Sequence, residues 1–148
     1  MKKTLISLAI LTAVSTASAL DFGAGYSRNT TTDVNGYGLS ATQSWGPVSL
    51  TAAVDRFDAV GGVHDYISVL AGYTVAKIWG VSVDGQFGAS YVHSESAVDG
   101  LTSVFGLGAS LPLTKSMSLT GDVRRTLGGG SMKVHDGTTV GVGLKYSF

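Results

Sequence analysis

Thr139-Val140-Gly141-Val142-Gly143-Leu144-Lys145-Tyr146-Ser147-Phe148 alternates without a break between two kinds of side chain. Val140, Val142, Leu144, Tyr146 and Phe148 fall on one face; Thr139, Gly141, Gly143, Lys145 and Ser147 fall on the other. Successive side chains of a strand point to opposite faces, so this period of two predicts a strand with one apolar and one small or polar face. A helix would scatter both sets around its axis.

The same split runs upstream through seven more segments. Phe22, Ala24 and Tyr26 oppose Asp21, Gly23, Gly25 and Ser27; Tyr37, Leu39 and Ala41 oppose Gly38, Ser40 and Thr42. Val48, Leu50, Ala52 and Val54 oppose Ser49, Thr51, Ala53 and Asp55. Ile67 to Val75, Val81 to Tyr91, Leu101 to Leu111 and Met117 to Val123 repeat the pattern, with Gly85, Ser103 and Gly121 interrupting the apolar rows. Each segment is near the ~9–11 residues a tilted strand needs to cross a bilayer. Together they predict an all-β fold, an eight-stranded antiparallel up-and-down transmembrane β-barrel.

The connections alternate too. Gly46-Pro47, Ala76 to Gly80 and Thr114-Lys115-Ser116 are short. Residues 29–35, 58–65, 93–100 and 127–137 are longer and rich in Asn, Asp, Ser and Gly. Tight turns on one rim and longer loops on the other are the pattern of outer-membrane barrels, whose periplasmic turns are short. An even strand number puts both ends of the barrel in the periplasm.

At the N-terminus, Lys2 and Lys3 precede an apolar run, Leu5 to Val14, and Ala17-Ser18-Ala19 supplies the small residues of a cleavage site. The run is shorter than the ~20 residues of a spanning helix. Residues 1–19 therefore read as a signal peptide and residues 20–148 as the barrel domain. Loss of Lys2 and Lys3 from the ten basic residues leaves eight against ten acidic ones. That balance has the wrong sign for a nucleic-acid binder.

Mean hydropathy is positive, yet beyond residue 19 the nearest candidate for a spanning helix, Ile67 to Val83, is interrupted by Gly72, Lys77 and Gly80. There is no cysteine, so no disulfide framework. Glu95 is the single glutamate, and a soluble β-protein would need many more charges to cover its outer face. Alternation alone also fits a soluble barrel with its apolar face inward. Two features turn that face outward. The polar rows are mostly Gly, Ser, Ala and Thr, the volume that a narrow eight-stranded interior admits. The aromatics sit at segment ends, with Trp45, Trp79, Tyr146 and Phe148 toward the short turns and Tyr26, Tyr37 and Tyr91 toward the long ones. They read as two interfacial girdles. In lipid every backbone polar group must be paired, so the sheet must close.

Gly143, Tyr146 and Phe148 form a pattern that resembles the C-terminal assembly signal of bacterial outer-membrane proteins: glycine, two residues, an aromatic, one residue, a terminal aromatic. Gly141 stands where that pattern usually carries a polar residue. From residue 20 onward the chain resembles the small outer-membrane barrels of the OmpX/Ail group and the OmpA transmembrane domain, in architecture rather than over alignable stretches. The resemblance implies recognition by the barrel assembly machinery and residence in the outer membrane of a Gram-negative cell envelope. It fixes no activity, because that architecture hosts adhesins, enzymes and structural proteins alike.

Six charged residues point inward: Asp21, Asp55, Asp84, Asp122, Arg124 and Lys145. Charges in a narrow interior must be paired or hydrated, so they are expected to form a hydrogen-bonded, partly hydrated ionic network, with Asp84, Asp122, Arg124 and Lys145 at mid-barrel. A structural plug is the first reading of it; the excess of aspartate leaves a narrow cation-preferring path as the alternative. Arg28, Arg56 and Arg125 point outward near the long-loop ends. There they either contact lipopolysaccharide phosphates or simply snorkel to the interface. Lys77 and Lys115 sit on the opposite rim, solvated.

His64, His93 and His135 fall in the long loops, each followed by an acid: Asp65, Glu95 and Asp136. The spacing is no ligand motif, so no metal is expected. His93-Ser94-Glu95 has the residue types of a hydrolase, but neighbours on a strand end point apart, whereas a triad converges. The strand residues of the lipid A deacylase and omptin barrels are not found. The expected protein is a non-enzymatic integral outer-membrane barrel without cofactor, a monomer in contact with outer-membrane lipids and lipopolysaccharide, with a structural or surface-interaction role. A small pore is the second reading and a lipid-modifying enzyme the third. The loops are short for an adhesin.

Overall fold

The computed structural model describes residues 20–59, 62–95 and 98–148; the expected signal peptide, residues 1–19, lies outside them. Eight strands follow one another: β1 (Leu20–Asn29), β2 (Val34–Trp45), β3 (Val48–Ala59), β4 (Gly62–Ile78), β5 (Val81–Ser94), β6 (Gly100–Pro112), β7 (Met117–Leu127) and β8 (Gly137–Ser147). A short 3₁₀ helix, Gly130–His135, precedes β8. Every strand pairs antiparallel with its sequence neighbours, and β8 returns to β1, from Asp21 opposite Ser147 to Asn29 opposite Thr139, closing the barrel. No helix among the described residues is long and apolar enough to cross a membrane.

The two faces fall as the alternation requires. Leu39, Phe87, Leu101 and Leu107 are exposed on the outside, with both aromatic girdles, whereas Asp21, Ser27, Asp55, Ser68, Ser90, Thr102, Thr126 and Thr139 are buried inside. Facing inward rows are linked by hydroxyls, with Thr42 2.9 Å from Thr51 and Ser68 2.9 Å from Ser90. Burial is thus inverted relative to a water-soluble protein, where apolar side chains fill the core.

Two local features depart from the sequence reading. The expected short connection Ala76 to Gly80 shrinks to Trp79-Gly80, both with positive φ, 49° and 84°. Such left-handed pairs match the twist of a tight hairpin. β4 instead runs on to Ile78, and pairing steps from Thr74 opposite Asp84 to Ala76 opposite Val83, leaving Val75 as a bulge. One extra residue inverts the parity beyond it. Lys77 consequently stands opposite Ser82, on the inward row, and lines the lumen.

The long connections are also shorter than expected. Among the described residues of these connections, strands leave only 30–33, 95, 98–99 and 128–136. Asp58 still pairs with Val63, and His64 with Ser94. Past the apolar band the contrast inverts: Arg56, Asp58, Asp65 and His93 face out while Phe57, Tyr66 and Val92 face in, so the band's apolar-out pattern breaks off while the backbone ladder continues.

Candidate functional site

The interior has two unlike halves. Toward the short turns lies a polar cavity of about 340 Å³ that reaches from Gly46-Pro47 up to Arg124. Ser40, Thr51, Asp84 and Thr120 are among its walls. A polar space of that size has room for several waters.

The six inward charges do not join into one network. Arg124 bridges two aspartates, with Nη1 3.0 Å from Asp55 Oδ2 and Nε 2.7 Å from Asp122 Oδ2. β3 and β7 are four places apart in the ring of eight, so this triad ties opposite walls together. Lys145 Nζ lies 3.0 Å from Asp21 Oδ2 at the short-turn ends of β8 and β1, not at mid-barrel. Asp84 accepts a 2.7 Å hydrogen bond from the Thr74 hydroxyl, and no cation among the described residues ion-pairs with it. The separation has a simple cause. Between the Asp21–Lys145 level and the Arg124 level, the inward rows of β1 and β8 are Gly23, Gly25, Gly141 and Gly143, which have no side chains to bridge the gap.

The long-loop half is packed. Phe57, Val92, Val104, Met132 and His135 are buried there, and Phe57 meets Tyr66 edge-on at 5.4 Å. The 128–136 connection folds down into the mouth. His135 Nε2 lies 2.8 Å from the Val98 carbonyl, and its ring sits 6.0 Å from that of His64. Asp136 Oδ1 accepts from the Gly128 amide at 2.6 Å, closing the segment on itself. Space for it depends on glycine: a Cβ on Gly128 would lie 2.1 Å from the Met132 carbonyl oxygen, and one on Gly100 2.7 Å from Met132 Sδ.

The histidines are therefore not simply loop residues. His64 belongs to β4 and faces inward, His93 belongs to β5 and faces outward, and His135 ends the 3₁₀ helix inside the mouth. Sequence reasoning missed this plug. The usable signal was parity carried backward from Ser68 through Tyr66 to His64. Gly100→Val meets only the flexible end of Met132, so about 1 kcal/mol of stability should be lost. Tryptic cleavage after Lys133 should accelerate while the strands stay protected; unchanged cleavage would mean that Met132 does not anchor the segment.

On the outer rim, Arg28 is ion-paired with Asp33. Arg56 donates two hydrogen bonds to Asp65, at 2.7 and 2.8 Å. Arg125 donates to the Thr138 hydroxyl at 3.0 Å. His93 Nδ1 lies 2.6 Å from Asp99 Oδ2, while Ser94 is buried on the opposite face of the same strand. Among the described residues no group of three or more His, Asp or Glu side chains is placed to hold a metal ion. At the seam between first and last strands, Phe148 packs edge-on against Tyr146 at 4.9 Å and Phe22 at 5.7 Å, with Gly143 opposite Gly25.

No protein family matches the chain, and no curated protein matches it in sequence. Solved structures match its fold. The N-terminal β-barrel domain of Pseudomonas aeruginosa OprF superposes with a TM-score of 0.71 at 16% identity, over 89% of this chain and 98% of that domain. Neisserial surface protein A superposes with a TM-score of 0.63 at 13% identity, over 88% and 95%. Ail, the attachment invasion locus protein of Yersinia pestis, superposes with a TM-score of 0.60 at 16% identity, over 89% and 99%. The likeness is one of fold, that of the small eight-stranded outer-membrane barrels.

Proposed function

We propose that this chain is an integral outer-membrane barrel, exported by its N-terminal signal peptide, with the short turns in the periplasm and the longer loops outside. Its role is structural or surface-interacting, it is monomeric, and it catalyses no reaction. The observation that carries this reading is the inversion of burial, with Leu, Val and Phe exposed around a Ser/Thr/Asp interior. Lipid is the solvent that makes such a surface stable, and closure leaves no unpaired strand edge in it. The absence of enzymatic activity is supported by the rim geometry, where His93 and Ser94 face opposite ways.

Folded protein in detergent is expected to migrate faster unheated than boiled; identical migration would overturn the membrane barrel. A small cation-preferring pore is the second reading, favoured by the polar cavity and by Asp84. The packed mouth and the Arg124 bridge support a non-conducting lumen instead. Planar bilayers containing the folded protein should stay at background conductance, and regular cation-selective openings would replace that reading with the pore.

A further inference from the structure

The three rim arginines are not equivalent. Arg28 and Arg56 each have a counter-charge in the chain, Asp33 and Asp65. Arg125 has none among the described residues; its side chain hydrogen-bonds a neutral hydroxyl, that of Thr138. Its two flanks differ: on the β8 side it faces Thr138, which Thr30 and Thr31 join by hydrogen bonds, whereas on the β6 and β7 side its neighbours are apolar except for Ser103. It stands opposite Phe105 in the strand register, between Val123 and Leu127 on the outward row of β7, and all three are exposed. Beyond it toward the loop end the surface continues as Leu127 and, on β6, Leu101. On β3 the residue in the corresponding place beyond Arg56 is Asp58. The charge of Arg125 therefore lies at the loop-side border of the apolar surface, against Phe105, Val123 and Leu127.

A cation in an apolar medium is costly unless an anion meets it. The guanidinium has five N–H donors in a planar fork, and Thr138 takes one of them. The others remain for a group with several oxygens, and phosphate fits that fork in bidentate fashion. We infer that Arg125, with Thr138, binds the phosphate of a phosphorylated lipid in the outer leaflet. The site is confined to the β6–β8 flank, and Arg28 and Arg56 take no part. This rests on the membrane-barrel reading and adds to it the lipid chemistry of one flank.

The test uses folded protein whose heat-modifiable migration and insertion have been established first, so a failure here is distinct from failure of the barrel reading. Thermal unfolding is followed in phosphatidylcholine vesicles, in the same vesicles containing lipid A, and in phosphatidylcholine vesicles with inorganic phosphate added. Wild type, Arg28→Gln and Arg56→Gln should each gain in Tm with lipid A. Arg125→Gln should keep less than half of that gain, and Arg125→Lys should fall between. Inorganic phosphate should give no gain. The proposal fails if wild type shows no gain, if Arg125→Gln keeps all of it, or if the other two variants lose as much. An equal gain with inorganic phosphate overturns the lipid assignment. Should Arg125→Gln not fold, lipid A retained by Arg125→Lys is compared with wild type by native mass spectrometry, and equal retention overturns the site.

Discussion

Arg124→Leu is expected to destabilise the folded barrel by about 3–5 kcal/mol, the range for removing one partner of a buried charge cluster. The side chains of Arg124 and Asp55 are only 15% and 11% exposed. Without the guanidinium, Asp55 and Asp122 share one level of the lumen as two carboxylates with no cation between them. The polar cavity opens to this level from below, while Phe57, Val92 and Val104 are packed above it. Urea unfolding in detergent micelles reads the effect. Asp55→Leu and Asp122→Asn combined with Arg124→Leu should recover most of it, because an uncharged interior has no orphaned charge to solvate. A loss below about 1 kcal/mol for Arg124→Leu alone would mean that water satisfies both aspartates.

The second large effect separates lipid from water as the outer solvent. Leu107 is 59% exposed midway along β6. In a water-soluble barrel Leu107→Arg would be near neutral, since a surface substitution away from special features usually stays within about 0.5 kcal/mol. In a bilayer an arginine at mid-depth on the lipid face costs about 2–4 kcal/mol, falling to about 0–1 near the interface. Val48, beside the Gly46-Pro47 turn, is the matched rim position. Folding into phospholipid vesicles should therefore be much weaker for Leu107→Arg and almost unchanged for Val48→Arg. Equal costs at the two positions would contradict a membrane-spanning belt.

Much of this architecture was legible because one contrast, apolar against small or polar, ran with period two through every strand where it crosses the band. Where that contrast ended, so did the reading. Asp58, His64, Asp65 and His93 sit on ladders that continue beyond the band, yet nothing in their polarity distinguishes strand from loop. The Val75 bulge was hidden because Ala76 is small enough to suit either face. The inward charges could be placed on the right row by parity alone. Which of them meet could not, since the Arg124 bridge depends on the barrel's diameter and on rows of glycine, neither of which is a local property. The rim arginines were likewise indistinguishable until Asp33 and Asp65 were seen to neutralise two of them.

The plug at the mouth also orders events in time. Its seat is assembled from Asn29 on β1, Phe57 on β3, His64 and Tyr66 on β4 and Gly100 on β6, which come together only after the last strand has met the first. A flat, unclosed sheet holds the β1, β3–β4 and β6 parts of that seat apart. Residues 128–136 are therefore expected to settle late, as a stopper pressed into a finished vessel, and protection of Lys133 from trypsin arising after the strands are protected would report it.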